Sequence, residues 1–454
     1  MADTVVIGAE AIFTGRSAVD ERIGGDIRIR DGRIVALGTV GSEPGDHVID
    51  ARGCVVTPGL VNTHHHLFQS VLKGVAAGID CELEAWLESV PYTYWDRVDA
   101  EAMEVAAQLG MVELLLSGCT TVSDHHYIYD ASRGFDAAHV LFETADRLGM
   151  RFVLARGGAS QGRKFTKDDP RVPMPLEDID TMLAATQDLA ARYHDPAPDA
   201  MRRLAFAPTT PFWSIPESTL RPVAEATRQM GLRLHSHLSE TRNYNDYCTA
   251  TYGCRPVEFV AERGWVGEDV WFAHLVHVDD DELRILADTG TGMSHCPQSN
   301  GRLGSGIAPA DRFARMGGKV SLAVDGAASN EAADMANEMH VAWMTHRAAK
   351  GPQAVRCEDV MRWATAGGAQ VLGLPAIGTI APGQAADIAV FDLNHPRYAG
   401  LHDPLIAPVA SGGAAKMRHV LVNGRTVVEN GAIPGLDLPR LVSRTRDVVR
   451  RIAQ

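Results

Sequence analysis

Eight short apolar runs, most of them followed by a stretch long enough for a helix, fill the middle of this 454-residue chain. They are GLVNTHHH (59–66), TTVSDHH (120–126), RFVLARGG (151–158), RLAFAPTT (203–210), LRLHSHLSE (232–240), VWFAHLVH (270–277), TGMSHC (291–296) and VSLAVDGAA (320–328). Between most of them lie amphipathic patterns such as FDAAHVLFETADRLG, EDIDTMLAATQDLAARYH and PESTLRPVAEATRQMG. Another, DDDELRILADTG, opens with acids and closes near a glycine, as a helix should. Strands that alternate with helical periods build a parallel sheet, because parallel neighbours need long crossovers. Eight such units predict a (β/α)8, TIM-like barrel over residues 58–375.

The two ends have a different texture. Residues 1–57 and 376–454 hold short alternating runs such as DIRIR and MRHVLVNGRTVVE, with Asp31-Gly32 and Asn423-Gly424 as hairpin signals. They are expected to form one small β-sandwich domain from both termini, with a helix at the C-terminal end. Hydrophobic residues make up 45% of the chain, enough for a large core. Lys and Arg number 43 against 57 Asp and Glu, a formal charge of −14. That balance disfavours nucleic acid and anionic membrane as partners. No apolar run reaches the length of a membrane span, and MADTVVIGAEAIF has no basic segment ahead of its apolar residues. Seven scattered cysteines without a CxxC fit free thiols and a cytoplasmic location.

In such a barrel the chemistry sits where strands end. The polar outliers fall there: His64-His65-His66, His235-Ser236-His237 with Glu240 three residues on, His274, and Asp325. Residues i and i+2 of an extended chain share a side, so His64 and His66 can enter the barrel mouth as a pair. Neutral imidazoles suit Zn2+, and His237 and Asp325 can complete a His3Asp shell that leaves a position open for water. An HxH pair alone is a weak signal; four candidates at strand ends are a strong one. His125, His126, His235, His277 and His295 also lie near strand ends and are read as packing groups or partners of ligands.

The stretches PGLVNTHHH (58–66), HSHLSE (235–240), AHLVH (273–277), HCPQSN (295–300) and VDGAASN (324–330) resemble the amidohydrolase superfamily. The likeness extends over essentially the whole chain, including PGQAADIAVFD (382–392). HxH, HxxE on strand five, His on strand six and Asp on strand eight resemble its aromatic deaminase branch. A competing branch uses two metals bridged by a carboxylated lysine on strand four. Here strand four has none, and Lys164 and Lys167 follow strand three. RGGASQGRK (156–164), HCPQSNGRLGSGIAP (295–309), DGAASNEAADM (325–335) and LHDPLIAPVASGG (401–413) look most like the isoxanthopterin deaminases, then the 8-oxoguanine deaminases. Common guanine deaminases carry an Arg near the end of strand four, where this chain has Thr209-Thr210-Pro211-Phe212.

The resemblance implies one Zn2+ per chain, with Fe2+ as the alternative a similar shell accepts. It implies a pterin or purine heterocycle and water as the small-molecule partners, and pairing into homodimers. The ligands would be His64, His66, His237 and Asp325. Glu240 would donate a proton to the ring, Asp325 would carry the water proton to the leaving amine, and His274 would orient the nucleophile. Gln69, whose amide donates and accepts, suits a lactam or amidine edge. Trp86 is a stacking candidate, as are Phe212 and Trp213, although each could equally serve the core. Thr209 is carried as a further contact. Arg156 either meets a ring oxygen or forms an ion pair within the barrel. Arg163 and Lys164 either favour an anionic ring or are solvated.

Overall fold

The computed structural model describes residues 3–17, 21–164, 174–413 and 416–454. Lys167 lies outside them. Eight parallel strands follow one another in sequence order around the barrel: β1 (Leu60–Asn62), β2 (Cys119–His126), β3 (Arg151–Arg156), β4 (Arg202–Phe206), β5 (Arg233–Leu238), β6 (Val270–His274), β7 (Gly292–His295) and β8 (Lys319–Leu322). The amphipathic patterns become the helices Ala137–Leu148, Ile179–Tyr193, Glu217–Gln229 and Asp280–Thr289. Each begins beside a sequence signal for a helix start. Asp136, Asp178 and Asp279, for example, cap their helices through side-chain carboxylates.

The seam between β1 and β8 is closed by loop backbone rather than by a strand ladder. Thr63 N donates to Leu322 O at 3.3 Å, and Asp325 N to His64 O at 3.2 Å. Behind the seam a π-helical turn, Trp363–Gly367, runs into the helix Gly368–Leu372. A Cβ on Gly367 would collide with the Val320 carbonyl, and one on Gly368 would lie 2.7 Å from Val61 Cβ. Two bare backbones therefore pack directly on the two strands that fail to pair. Helical irregularities of this kind are frequent near functional sites.

Both ends of the chain join one mixed sheet. Its order is Arg425–Glu429, Met417–Val422, Ile388–Asp392, Cys54–Pro58, Thr4–Phe13, Arg22–Arg30, Arg33–Gly38, with His47–Asp50 parallel to Thr4–Phe13. Asp31, Gly32, Asn423 and Gly424 all have positive φ, between 49° and 77°, as two-residue hairpin turns require. Val6, Ile12, Ile27, Ile34, Val56, Ile388 and Val390 share one core in this sheet. The C-terminal helix Leu438–Ile452 buries Leu441, Val448 and Ile452. All seven cysteines are free, and no helix among the described residues is long and apolar enough to cross a membrane.

Two expectations need correcting. The first and last barrel strands are shorter than predicted, stopping at Asn62 and Leu322. His64, His66 and Asp325 therefore lie on loops beyond them, because the chain must leave the strand direction to aim them inward. Arg156 points the other way. Ala155 packs inside the barrel with Val61, Val153 and Ala205, so strand parity turns the next side chain outward. There Arg156 Nη2 meets Glu177 Oε1 at 2.7 Å, with its guanidinium over the Tyr129 ring. The ion-pair alternative describes this residue; it does not line the central cavity.

Candidate active site

Six residues from four strand ends converge at the C-terminal mouth of the barrel. His66 Nε2 and His237 Nε2 are 3.2 Å apart, and His64 Nε2 and His66 Nε2 are each 3.3 Å from Asp325 Oδ1. His274 and Glu240 adjoin them, His274 Nε2 lying 3.6 Å from Glu240 Oε2. The backbone strains to achieve this. Ser239, His274, Leu275 and Asp325 are non-glycine residues with φ of 51° to 75°, a region costly for such side chains and common at functional sites.

The hydrogen bonds behind the histidines fix their tautomers. His66 Nδ1 donates to His125 O at 2.8 Å and His237 Nδ1 to Thr209 O at 2.6 Å. His235 Nδ1 donates to Trp271 O at 3.0 Å, which leaves its Nε2 free to accept from His64 Nδ1 at 2.8 Å. All three ligand candidates thus turn an Nε2 lone pair toward the same point. Burial pushes His66 down to about 4 and His237 well below the ordinary histidine range, so these rings stay neutral. His64 Nε2 is buried without a hydrogen-bond partner.

Lone pairs facing one another in a dry interior repel unless a cation lies between them. Ligand atoms bound tetrahedrally to zinc stand about 3.3–3.5 Å apart, given its bond lengths. The separations of 3.2 and 3.3 Å match that spacing. The residues present therefore fit a divalent ion. A second grouping, in which His125 joins the three histidines, has no carboxylate, and His125 Nε2 is committed to Ala207 O at 2.9 Å.

The acids are held in opposite states. Asp325 accepts from Gly326 N at 2.7 Å and from Ser299 Oγ at 2.7 Å, which favours its charged form. Burial, and after it the charge of Asp325, pushes Glu240 well above the usual carboxylate range. Both causes favour the protonated form of Glu240. Asn300 Nδ2 donates to His274 Nδ1 at 3.0 Å, which places the proton of that ring on Nε2, facing the cavity.

Residues 55–427 match the amidohydrolase family. The chain belongs to that family. It is 48% identical to an isoxanthopterin deaminase of an unknown prokaryotic organism, over 99% of this chain and 97% of the relative. It is 39% identical to an 8-oxoguanine deaminase of Pseudomonas aeruginosa, with 98% of each covered. Among solved structures, a variant of the atrazine chlorohydrolase of Arthrobacter aurescens, complexed with zinc and atraton, superposes with a TM-score of 0.92 at 28% identity, covering 98% of this chain and all of the other. The sequence relatives are deaminases, hydrolases acting on C–N bonds, and the family is metal-dependent.

In this amidohydrolase the cavity above the histidines encloses about 440 Å3, open solvent at its mouth included. Gln69, Trp86 and Thr209 line it, together with His66, His237, Glu240, His274 and Asp325. Trp86 comes from the excursion between β1 and β2 and donates from Nε1 to Ala328 O at 3.2 Å. Arg163 also lines the cavity, its guanidinium over the Trp213 ring. Phe212 and Trp213 lie behind the wall in the core. Sequence reading missed Tyr92, Tyr127, Tyr244 and Leu83 in the lining. Tyr127 alone carried a signal, since it directly follows a polar strand end.

Proposed function

We propose that this amidohydrolase is a zinc-dependent deaminase that releases ammonia from the amidine carbon of a pterin, isoxanthopterin foremost. The observation that carries the reading is the set of three inward Nε2 lone pairs beside one charged and one neutral acid. When bound by His64, His66, His237 and Asp325, a divalent ion supplies the Lewis acidity that makes water nucleophilic at neutral pH.

The chain's own groups do the rest. Asp325, with Oδ2 held by Ser299, accepts a proton from the attacking water and returns it to the departing amine. Glu240 gives its retained proton to the ring nitrogen beside the attacked carbon, where negative charge develops, and is reprotonated by the added hydroxyl as the amine departs and the carbonyl forms. His274 donates from Nε2 to the oxygen being added and so orients it. Trp86 forms an apolar wall for a flat ring, and Thr209 supports the site by holding His237 through its carbonyl. Water and ammonia are the only other small molecules in the balance.

The test is ammonia release across isoxanthopterin, pterin, 8-oxoguanine, guanine and isocytosine, with zinc and iron counted per chain. Isoxanthopterin is expected to turn over fastest, with one zinc bound. Fastest turnover of 8-oxoguanine would move the substrate to the purines, the reading favoured by the second relative, and leave the reaction type standing. Two metals per chain would point to hydrolysis of a cyclic amide instead.

A further inference from the structure

Gln69 and Tyr127 form a polar pair in the cavity wall beside His66. Gln69 is 1% exposed and Tyr127 7%. Gln69 Nε2 donates to the Tyr127 hydroxyl oxygen at 3.4 Å. Gln69 Oε1 is buried with no partner. The phenol accepts in its one hydrogen bond, so its own proton has yet to find an acceptor. An unmade hydrogen bond in such a place costs stability.

Both side chains are held firmly. Tyr127 packs edge-on against His66 and Phe68, with ring centroids 5.1 and 5.4 Å away. Gln69 sits on the short turn Leu67–Val71 directly after the His64–His66 pair. Its carboxamide oxygen occupies the space a side chain at Gly326 would need, since a Cβ there would collide with it. The amide thus has room only because residue 326 is glycine.

We infer that Gln69 and Tyr127 together form a clamp for a cis-lactam edge, a ring N–H beside a ring C=O. The N–H fills the empty acceptor Gln69 Oε1, and the carbonyl takes the unspent Tyr127 proton. One acceptor beside one donor is the complement of that edge, and reversing the amide of Gln69 keeps one of each. The inference rests on the proposed deaminase reading and narrows it: preferred rings carry a lactam, as isoxanthopterin, guanine and 8-oxoguanine do, and an adenine-type ring does not. Tyr127 is then a specificity residue that neither transfers a proton nor touches the metal.

The experiment compares Tyr127→Phe with the parent, both zinc-loaded, on isoxanthopterin and on its 4-deoxy analogue, which lacks the carbonyl beside the reacting amidine. Turnover is read where it occurs, and binding of both rings by their own fluorescence. Tyr127→Phe is expected to weaken the carbonyl-bearing ring by roughly 10- to 100-fold and to leave the deoxy ring within about twofold. Gln69→Leu should likewise weaken mainly isoxanthopterin, because removing the 4-carbonyl also removes the proton of the neighbouring ring nitrogen. Equal losses on the two rings with Tyr127→Phe, or no loss on either, would overturn the clamp. If nothing in the panel is deaminated, the function reading fails by itself; the binding comparison still decides whether this wall reads a lactam.

Discussion

A buried ion pair where the barrel strands begin and the histidine cluster where they finish treat their polar groups in opposite ways. At the end where strands begin, Arg151 is fully buried, and its Nε and Nη2 meet the two oxygens of Asp387 at 3.1 and 3.0 Å. Its Nη1 reaches the carbonyls of Asp199 and Ala200, and Asp387 also accepts from Asn423 N at 2.7 Å. Both groups are fully engaged, and they tie β3 to the terminal sheet. At the end where strands finish, His64 Nε2, Gln69 Oε1 and Asn300 Oδ1 are buried without partners. The backbone there is strained as well. The pair that the protein satisfies itself serves stability; the open atoms around the cavity suit something that arrives from outside.

The comparison breaks most sharply at Asp325. Asp325→Ala removes one ligand and the proton carrier together, so ammonia release should fall about 10⁴-fold. Zinc content should drop in parallel, while the folded structure, followed by circular dichroism, persists. Removing the metal with a chelator should have the same effect, reversed by adding zinc. Intact turnover in the alanine variant would sink the proposed reaction. At the opposite end, Asp387→Ala strands a buried guanidinium and should cost about 3–5 kcal/mol of stability in denaturant titrations. The activity of the molecules that remain folded should hardly change. Replacing both partners, Arg151→Met with Asp387→Leu, should recover much of that loss, because no unpaired charge is left. A double variant no better than the single one would show that the tie between β3 and the terminal sheet depends on more than this pair.

What the sequence discloses follows the same division. The strands and helices were legible because apolar runs repeat eight times with helical periods between most of them, and the ligands were legible because histidines and acids at strand ends stand out against them. The hairpin turns at Asp31-Gly32 and Asn423-Gly424 were legible because few dipeptides tolerate their positive φ. Arg156 was not, because the choice between facing in and facing out depends on strand parity, and a shift of one residue reverses it. The tyrosines at 92, 127 and 244 were not either. They come from an excursion, a strand end and a helix that only the folded barrel brings together. The seam between β1 and β8 is invisible for a related reason. Gly367 and Gly368 matter through what their missing side chains allow, and a sequence does not show what would have been hit.

His235 joins the two behaviours, since it is a fully satisfied group that serves the unsatisfied ones. Its ring stacks on Trp271 at 4.5 Å, its Nδ1 donates to the Trp271 carbonyl, and its Nε2 accepts from His64. That last bond holds the His64 proton on Nδ1 and leaves Nε2 free for the metal. Groups that orient a ligand from behind are typically worth about 10- to 100-fold in metal affinity. His235→Leu keeps the bulk and removes both hydrogen bonds, so zinc should be lost that much more readily in competition with a chelator. His235→Gln can still donate to the carbonyl and accept from His64, and should restore most of the affinity. A purely structural role would instead be satisfied by either side chain. Equal zinc affinity in the two variants would mean that the tautomer of His64 is fixed by the metal itself and not by the wall behind it.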